Sequence, residues 1–397
     1  MKLLFSIFFL CAGFNLNASL SNTIEKIKVR SEALQSDALV ILHQNKALIV
    51  HQSDECIGID SMEMTKPLVA MAIAFLLDEG RISCLETPVH HFYPRWNYEP
   101  YKSITLRHLL SNTSGLDPLC NCLIEENHAI AILSSPQLFQ PGTRFFKNPN
   151  AMQLLIDIVK IASGKELGDY LYGKLFDPLN IENVFWRTGG TIDSLPQFQM
   201  SAWDLAKIGM LIVNEGQLNC KQIISKRRLD ELLFPSQDFN PFFGMQWWLE
   251  FYDIAVWWDD SLLQEYAQHG ISEPLVEKLK ALQGRVVHFS GQVYGNHIVK
   301  LRGSDLKNFF DEGKLMAQLI NETYVKGIPL ARFKTGKLKM ASAHGRGGQH
   351  LIIMPQQGLV AVRQRQVEQK GCSPYFDFDD LPDLLEEISK EYEYIFD

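Results

Sequence analysis

Ten consecutive apolar residues, Leu68–Leu77, follow Pro67 and run out at Asp78-Glu79-Gly80. That length exceeds a usual strand, and a helix of this composition is apolar on every side, so the rest of the chain must surround it. Pro67 is tolerated only in the first turn of such a helix, which places its start close to Glu63–Lys66. A helix buried all round demands a large core. The chain has 397 residues, and at roughly 150 residues per domain that is room for two or three units.

Charge excludes one class of partner. Lys and Arg number 38 against 46 Asp and Glu, a formal net charge of −8, and no long basic run exists to neutralise phosphates. A nucleic-acid surface is therefore not the main business of this protein. Lys2, the apolar stretch Leu3 to Phe14 and Leu16-Asn17-Ala18 read as a secretory signal over residues 1–18. With the signal removed, no integral membrane segment is expected, and the protein is expected to be exported, periplasmic or secreted. Six of the seven cysteines lie beyond this leader: Cys56, Cys84, Cys120, Cys122, Cys220 and Cys372. Six allow 15 pairings, and the sequence selects none of them. The spacing of Cys120 and Cys122 is not that of a zinc or redox pair.

Strand signals sit at both ends of the chain. Ala38–His43 and Lys46–His51, joined by Gln44-Asn45, predict a β-hairpin. Gln349–Met354 and Leu359–Gln364 predict another, and Phe243–Phe251 a further strand. Between them the pattern is mainly helical, at 105–112, 150–163, 166–175, 201–215 and 223–234. A helix is also expected over Ser21–Leu34, and an acidic one near 377–395. Residues 255–335 read as an insertion without clear periodicity. The simplest packing is an antiparallel sheet assembled from both termini and flanked by helices, with a helical lobe, about residues 80–240, inserted in the middle.

Several segments then resemble one family. Asp60-Ser61-Met62-Glu63-Met64-Thr65-Lys66-Pro67 is similar to the start of the serine β-lactamase and penicillin-binding-protein-like hydrolases, which carry Ser-x-x-Lys at the head of their central helix. Thr105–Leu116, Pro141-Gly142-Thr143-Arg144-Phe145, Leu175–Ile181, Ser201–Gly209 and the closing Gly348-Gln349 to Arg363 resemble further family segments in the same order. The resemblance implies an α/β fold of the β-lactamase/transpeptidase type. It implies hydrolysis of amide, lactam or ester bonds, needs no cofactor or metal, and suggests a small-molecule or peptidoglycan-like ligand. The family's oxyanion hole, made of backbone N–H groups, maps onto Glu63 and Gln349.

The catalytic letters depart from that pattern. Three residues before Lys66 stands Glu63, where the family has its nucleophilic serine. Ser61 is five residues before Lys66, about 140° round a helix, and meets it only if the preceding segment is not helical. Where the family has Tyr-x-Asn, Lys147 and Pro149 take the tyrosine and asparagine places, with Asn148 or Asn150 as a shifted amide. The third motif is either Lys334-Thr335-Gly336 or, better placed, His344-Gly345-Arg346-Gly347-Gly348-Gln349. The sequence thus predicts an impaired relative whose cleft gathers Glu63, Lys66 and Lys147 with a ligand-binding group of His344, Arg346, Gly348 and Gln349. An active hydrolase using Glu63-activated water or Ser61 is the alternative. Glu63 also has a plain structural use, since a carboxylate at a helix start gains from the dipole and from an i,i+3 pair with Lys66.

Overall fold

The computed structural model describes residues 18–52, 58–118, 134–187, 197–294, 297–302, 314–366, 378 and 380–396. Residues 1–17 of the expected leader (1–18) and Cys56, Cys120, Cys122 and Cys372 lie outside them. Contacts divide the chain into two compact units, one drawn from 1–68, 171–226 and 342–397, the other from 69–170 and 227–341.

The first unit is built on α1 (Ala18–Ala33), β1 (Ala38–His43), β2 (Lys46–Gln52), the opening of α2 (Thr65–Asp78), α3 (Ala202–Val213), β3 (Leu338–Gly345), β4 (Gln349–Met354), β5 (Leu359–Gln364) and α4 (Leu381–Phe396). Strand order is β2-β1-β5-β4-β3. Both termini therefore contribute to one sheet, with β1 antiparallel to β5 in the register Val40↔Val362. Side chains alternate across each strand, and the alternation assigns the layers. Gly209 of α3 lies against Val360 and Leu351, so that parity faces α3. His43, of the opposite parity, stacks on Tyr392 of α4 with ring centroids 3.9 Å apart. Helix α1 packs on α4, giving helices on both faces of the sheet. All six residues of β1, β4 and β5 are buried, which is why each carries an apolar stretch of four or five residues (Ala38–Leu42, Leu351–Met354, Leu359–Val362) rather than an alternating pattern.

The predicted hairpins and the buried helix are present as expected. Helix α2 starts at Thr65, puts Pro67 in its first turn, and buries every residue from Pro67 to Leu77. The strand expected over Phe243–Phe251 is shorter, Trp248–Phe251. A tight reversal precedes it, with Gln246 at φ +67° and Phe243 bridged back to Trp248.

The second unit holds the helices Leu106–Leu110 and Pro149–Ser163 and, in residues 254–335, structure that periodicity did not resolve. Four strands there form a sheet in the order 297–302, 287–294, 254–257, 332–335, accompanied by the helices Asp260–Gln268, Glu273–Lys280 and Lys314–Lys326. Lys334 and Thr335 lie on the last of these strands, paired with Ala255 and Ile254. Lys339 and Glu250 form a buried ion pair at 2.8 Å. Among the described residues no helix is long and apolar enough to cross a membrane.

Candidate functional site

The segment before α2 is fastened from one side. Ile59 pairs with Met200, the Ser61 N–H donates to the Phe198 carbonyl at 2.8 Å, and the Phe198 N–H donates to the Thr65 hydroxyl. The chain then makes a single 3-10 turn, Met62–Met64, before α2 begins. Met62 enters it with φ +48°, a left-handed conformation that costs a non-glycine residue of order 1–3 kcal/mol and tends to occur at functional sites.

The turn between β3 and β4 meets this segment. A Cβ on Gly345 would come within 2.8 Å of the Met62 Cβ and 3.2 Å of the Ser61 carbonyl oxygen, so only glycine allows the approach. Gly347 and Gly348 follow with φ of +84° and +79°. Across this approach the Arg346 N–H donates to Glu63 Oε2 at 2.9 Å. The Glu63 carboxylate thus accepts a backbone N–H of the glycine turn. Lys66, half-buried, makes no hydrogen bond or ion pair among the described residues. The i,i+3 pair that would make Glu63 purely structural is absent, because Glu63 belongs to the 3-10 turn and reaches across to β3 instead. Ser61 is fully buried, and its Oγ has no hydrogen-bond partner. The turn at Met62 does break the helix before Glu63, yet Ser61 does not reach Lys66.

Not every candidate side chain faces Glu63. Gln349 has the parity of Leu351, and the Gly345 Cβ position lies 3.1 Å from the Gln349 Cβ. Gln349 is fully buried; its amide donates to the Arg365 carbonyl and its Oε1 accepts the Arg365 N–H. His344 lies on the opposite face. It is hydrogen-bonded at Nε2 to Ser342 Oγ (2.8 Å) and at Nδ1 to His350 Nδ1 (2.7 Å). His350 Nε2 is buried without a partner. A buried orphan lone pair is less costly than a buried orphan N–H, which assigns the hydrogens. His350 Nδ1–H donates to His344, and His344 Nε2–H donates to Ser342. Burial, with the Arg363 charge beside it, pushes His350 down to about 3. Arg363, directly across from His350 in the ladder, is itself fully buried.

Lys147, Asn148 and Asn150 belong to the second unit. The Lys147 ammonium sits 4.5 Å from the Trp248 ring centroid. Asn148 caps the helix that opens at Pro149, accepting the Asn150 N–H, and its amide donates to the Leu116 carbonyl. The Asn150 amide donates to the Asp117 carbonyl. Both amides tie down 112–117, so Asn148→Ala is expected to lower stability by about 1–2 kcal/mol in chemical denaturation. His108 likewise serves a capping box with Thr105. Cys84 and Cys220 are free, exposed thiols. No group of three or more potential metal ligands occurs among the described residues.

Residues 64–191 match the β-lactamase family, beginning one residue after Glu63. That match covers under half of the chain and supports a relationship to the serine β-lactamase and penicillin-binding-protein-like family. Penicillin-binding protein 4* of Bacillus subtilis is 30% identical over 133 residues, which cover 30% of this chain and 29% of that protein. The match thus spans under a third of the curated relative. Among solved structures, a protein described as a β-lactamase from Bacteroides dorei aligns with a TM-score of 0.59 at 16% identity, over 94% of this chain and 98% of its own. One described as a 6-aminohexanoate-dimer hydrolase from Bacillus anthracis reaches 0.60 at 15% identity, over 93% and 82%. The penicillin-binding protein of Bacillus halodurans reaches 0.55 at 14%, over 90% and 98%. At these identities the likeness is one of fold. The chain shares the β-lactamase-like fold, and the family match begins after Glu63.

The residues missed by sequence reasoning are Ser342, His350 and Arg363 in their present roles. The signal was there: Arg363 is a lone charge inside an otherwise apolar strand, and such a charge must be buried against partners.

Proposed function

We propose that this protein is an exported member of the family that no longer performs acyl transfer and uses its site to bind an acyl or anionic ligand. The observation that carries this reading is the bond from the Arg346 N–H to Glu63. A carboxylate cannot form the stable ester that a serine forms, and a nucleophile and its base act as a unit, so losing one forfeits nearly all of their joint contribution. Lys66 is left as a half-buried cation with no partner among the described residues, and such a charge attracts carboxylates. The names of the relatives point to lactams and linear amides as the ligand class, and a peptidoglycan-like peptide ending in a carboxylate combines both features.

The test is intact-mass analysis of the mature protein after incubation with a penicillin, a cephalosporin, an activated aryl ester and a fluorophosphonate, with ester loss followed in the same tubes. No adduct and no ester loss above the buffer rate are expected, together with saturable binding of an acyl-glycine by calorimetry. An adduct at Ser61, or ester loss abolished by Glu63→Gln, would overturn the reading in favour of an active hydrolase.

A further inference from the structure

Behind the glycine turn, on the sheet face away from Glu63, the Arg363 guanidinium reaches several acceptors among the described residues. It donates to the Gly348 carbonyl at 2.5 Å, the Gly347 carbonyl at 3.4 Å, the Leu34 carbonyl at 2.9 Å and Ser36 Oγ at 2.8 Å. In a planar trans peptide the C=O and N–H point in opposite directions. Drawing the carbonyls of Gly347 and Gly348 towards Arg363 therefore turns the N–H groups of Gly348 and Gln349 the other way. The left-handed φ at both glycines permits this twist. Neither Gly347 nor Gly348, both buried, donates its N–H to an acceptor among the described residues. A cation bonded to a carbonyl also polarises the N–H of the same peptide, since hydrogen bonds in a chain strengthen one another. Successive backbone N–H groups held in this way form an anion-binding concavity.

We propose that Arg363 is a positioning residue for the anion site: from behind the sheet it orients and polarises the Gly348 and Gln349 N–H groups that an anionic ligand meets. This rests on the reading of the turn as an anion site. It adds a residue that touches neither the ligand nor Glu63, and it explains a guanidinium buried in an apolar strand. His350, directly across from Arg363 and held in its neutral form by burial and by that charge, belongs to the same support, because it sets no second cation against Arg363.

The test uses the full mature chain in a Glu63→Ala background, which clears the carboxylate from the turn, with phenylacetate as the probe. Binding is followed by calorimetry and by the amide proton shifts of Gly348 and Gln349. Phenylacetate is expected to bind Glu63→Ala. Adding Arg363→Met should weaken binding at least tenfold and move both amide protons upfield. Adding Arg363→Lys, which keeps the charge but reaches fewer carbonyls and is the milder change to the core, should weaken it by a smaller factor. Adding Ser36→Ala, which removes one anchor of Arg363 but neither turn contact, should lower the Tm while affinity and amide shifts stay put. If phenylacetate fails to bind Glu63→Ala at all, the anion-site reading falls. If it binds all four proteins alike, that reading stands and the role given to Arg363 is overturned.

Discussion

A Glu63→Ser variant is expected to take up one fluorophosphonate per chain where the natural protein takes up none. Three features of the site produce this outcome. The serine side chain is too short to hold the Arg346 N–H that Glu63 holds at 2.9 Å, so the turn donor is released for a reacting oxygen. Lys66 stands three residues on with no partner among the described residues, where its ammonium stabilises the developing negative charge as the hydroxyl proton passes to water, the oxygen bonds phosphorus and fluoride departs. Backbone N–H groups survive any side-chain change and supply electrostatic stabilisation worth a factor of about 100 to 1,000 per donor. The phenol of the family's second motif is still missing, so the adduct is expected to build up over hours and to persist, with no multiple turnover of an aryl ester. Peptide mapping should place the added mass on residue 63, and Lys66→Ala in the same background should abolish it. A folded Glu63→Ser protein that remains unmodified would mean that the segment entering α2 does not present residue 63 as the family presents its serine.

Much of the frame behind that expectation is written in local sequence. Leu68–Leu77 of α2 and the stretches Leu351–Met354 of β4 and Leu359–Val362 of β5 are apolar without interruption and each has Gly or Pro beside it, so their presence follows from composition alone. The resemblance orders them into one sheet with the chain ends together. Two things were not legible. Residues 254–335 mix short strands and helices with exposed polar faces, and no single period dominates the window; long-range pairing such as Val256 with Phe333 decides their structure. The direction of Glu63 was not legible either. It depends on a left-handed φ at Met62, a residue with no intrinsic taste for that region, imposed by the pairing of Ile59 and Ser61 with 198–200. Likewise His344 sits in the motif that the sequence assigns to a ligand site. Strand alternation sends its ring to the other face, and only the position of β3 in the sheet reveals which parity faces Met62.

That face sets the second large effect, an acid limb in the stability curve that depends on His350. The imidazole is fully buried, with Nδ1 committed to His344, Nε2 without a partner and Arg363 opposite in the ladder. Its folded-state pKa is held down at about 3, against about 6.5 for an unfolded chain. Below pH 6.5 the unfolded chain binds a proton that the folded protein refuses, so unfolding gains free energy as acid is added. The native state loses up to about 1.4 kcal/mol per pH unit through this one group, or roughly 2.5 kcal/mol between pH 6 and pH 4. The loss ends near pH 3, where the folded protein takes up the proton as well. His350→Gln keeps a polar group in the same place but removes the titration. Its urea-unfolding free energy should therefore fall less steeply between pH 6 and pH 4 than that of the natural protein, whatever its value at pH 7. Parallel slopes for the two proteins would mean that His350 is not held neutral in the fold. The buried Nε2 of His350 would then carry a proton that needs an acceptor, and the account of why Arg363 tolerates an imidazole as its neighbour would fall with it.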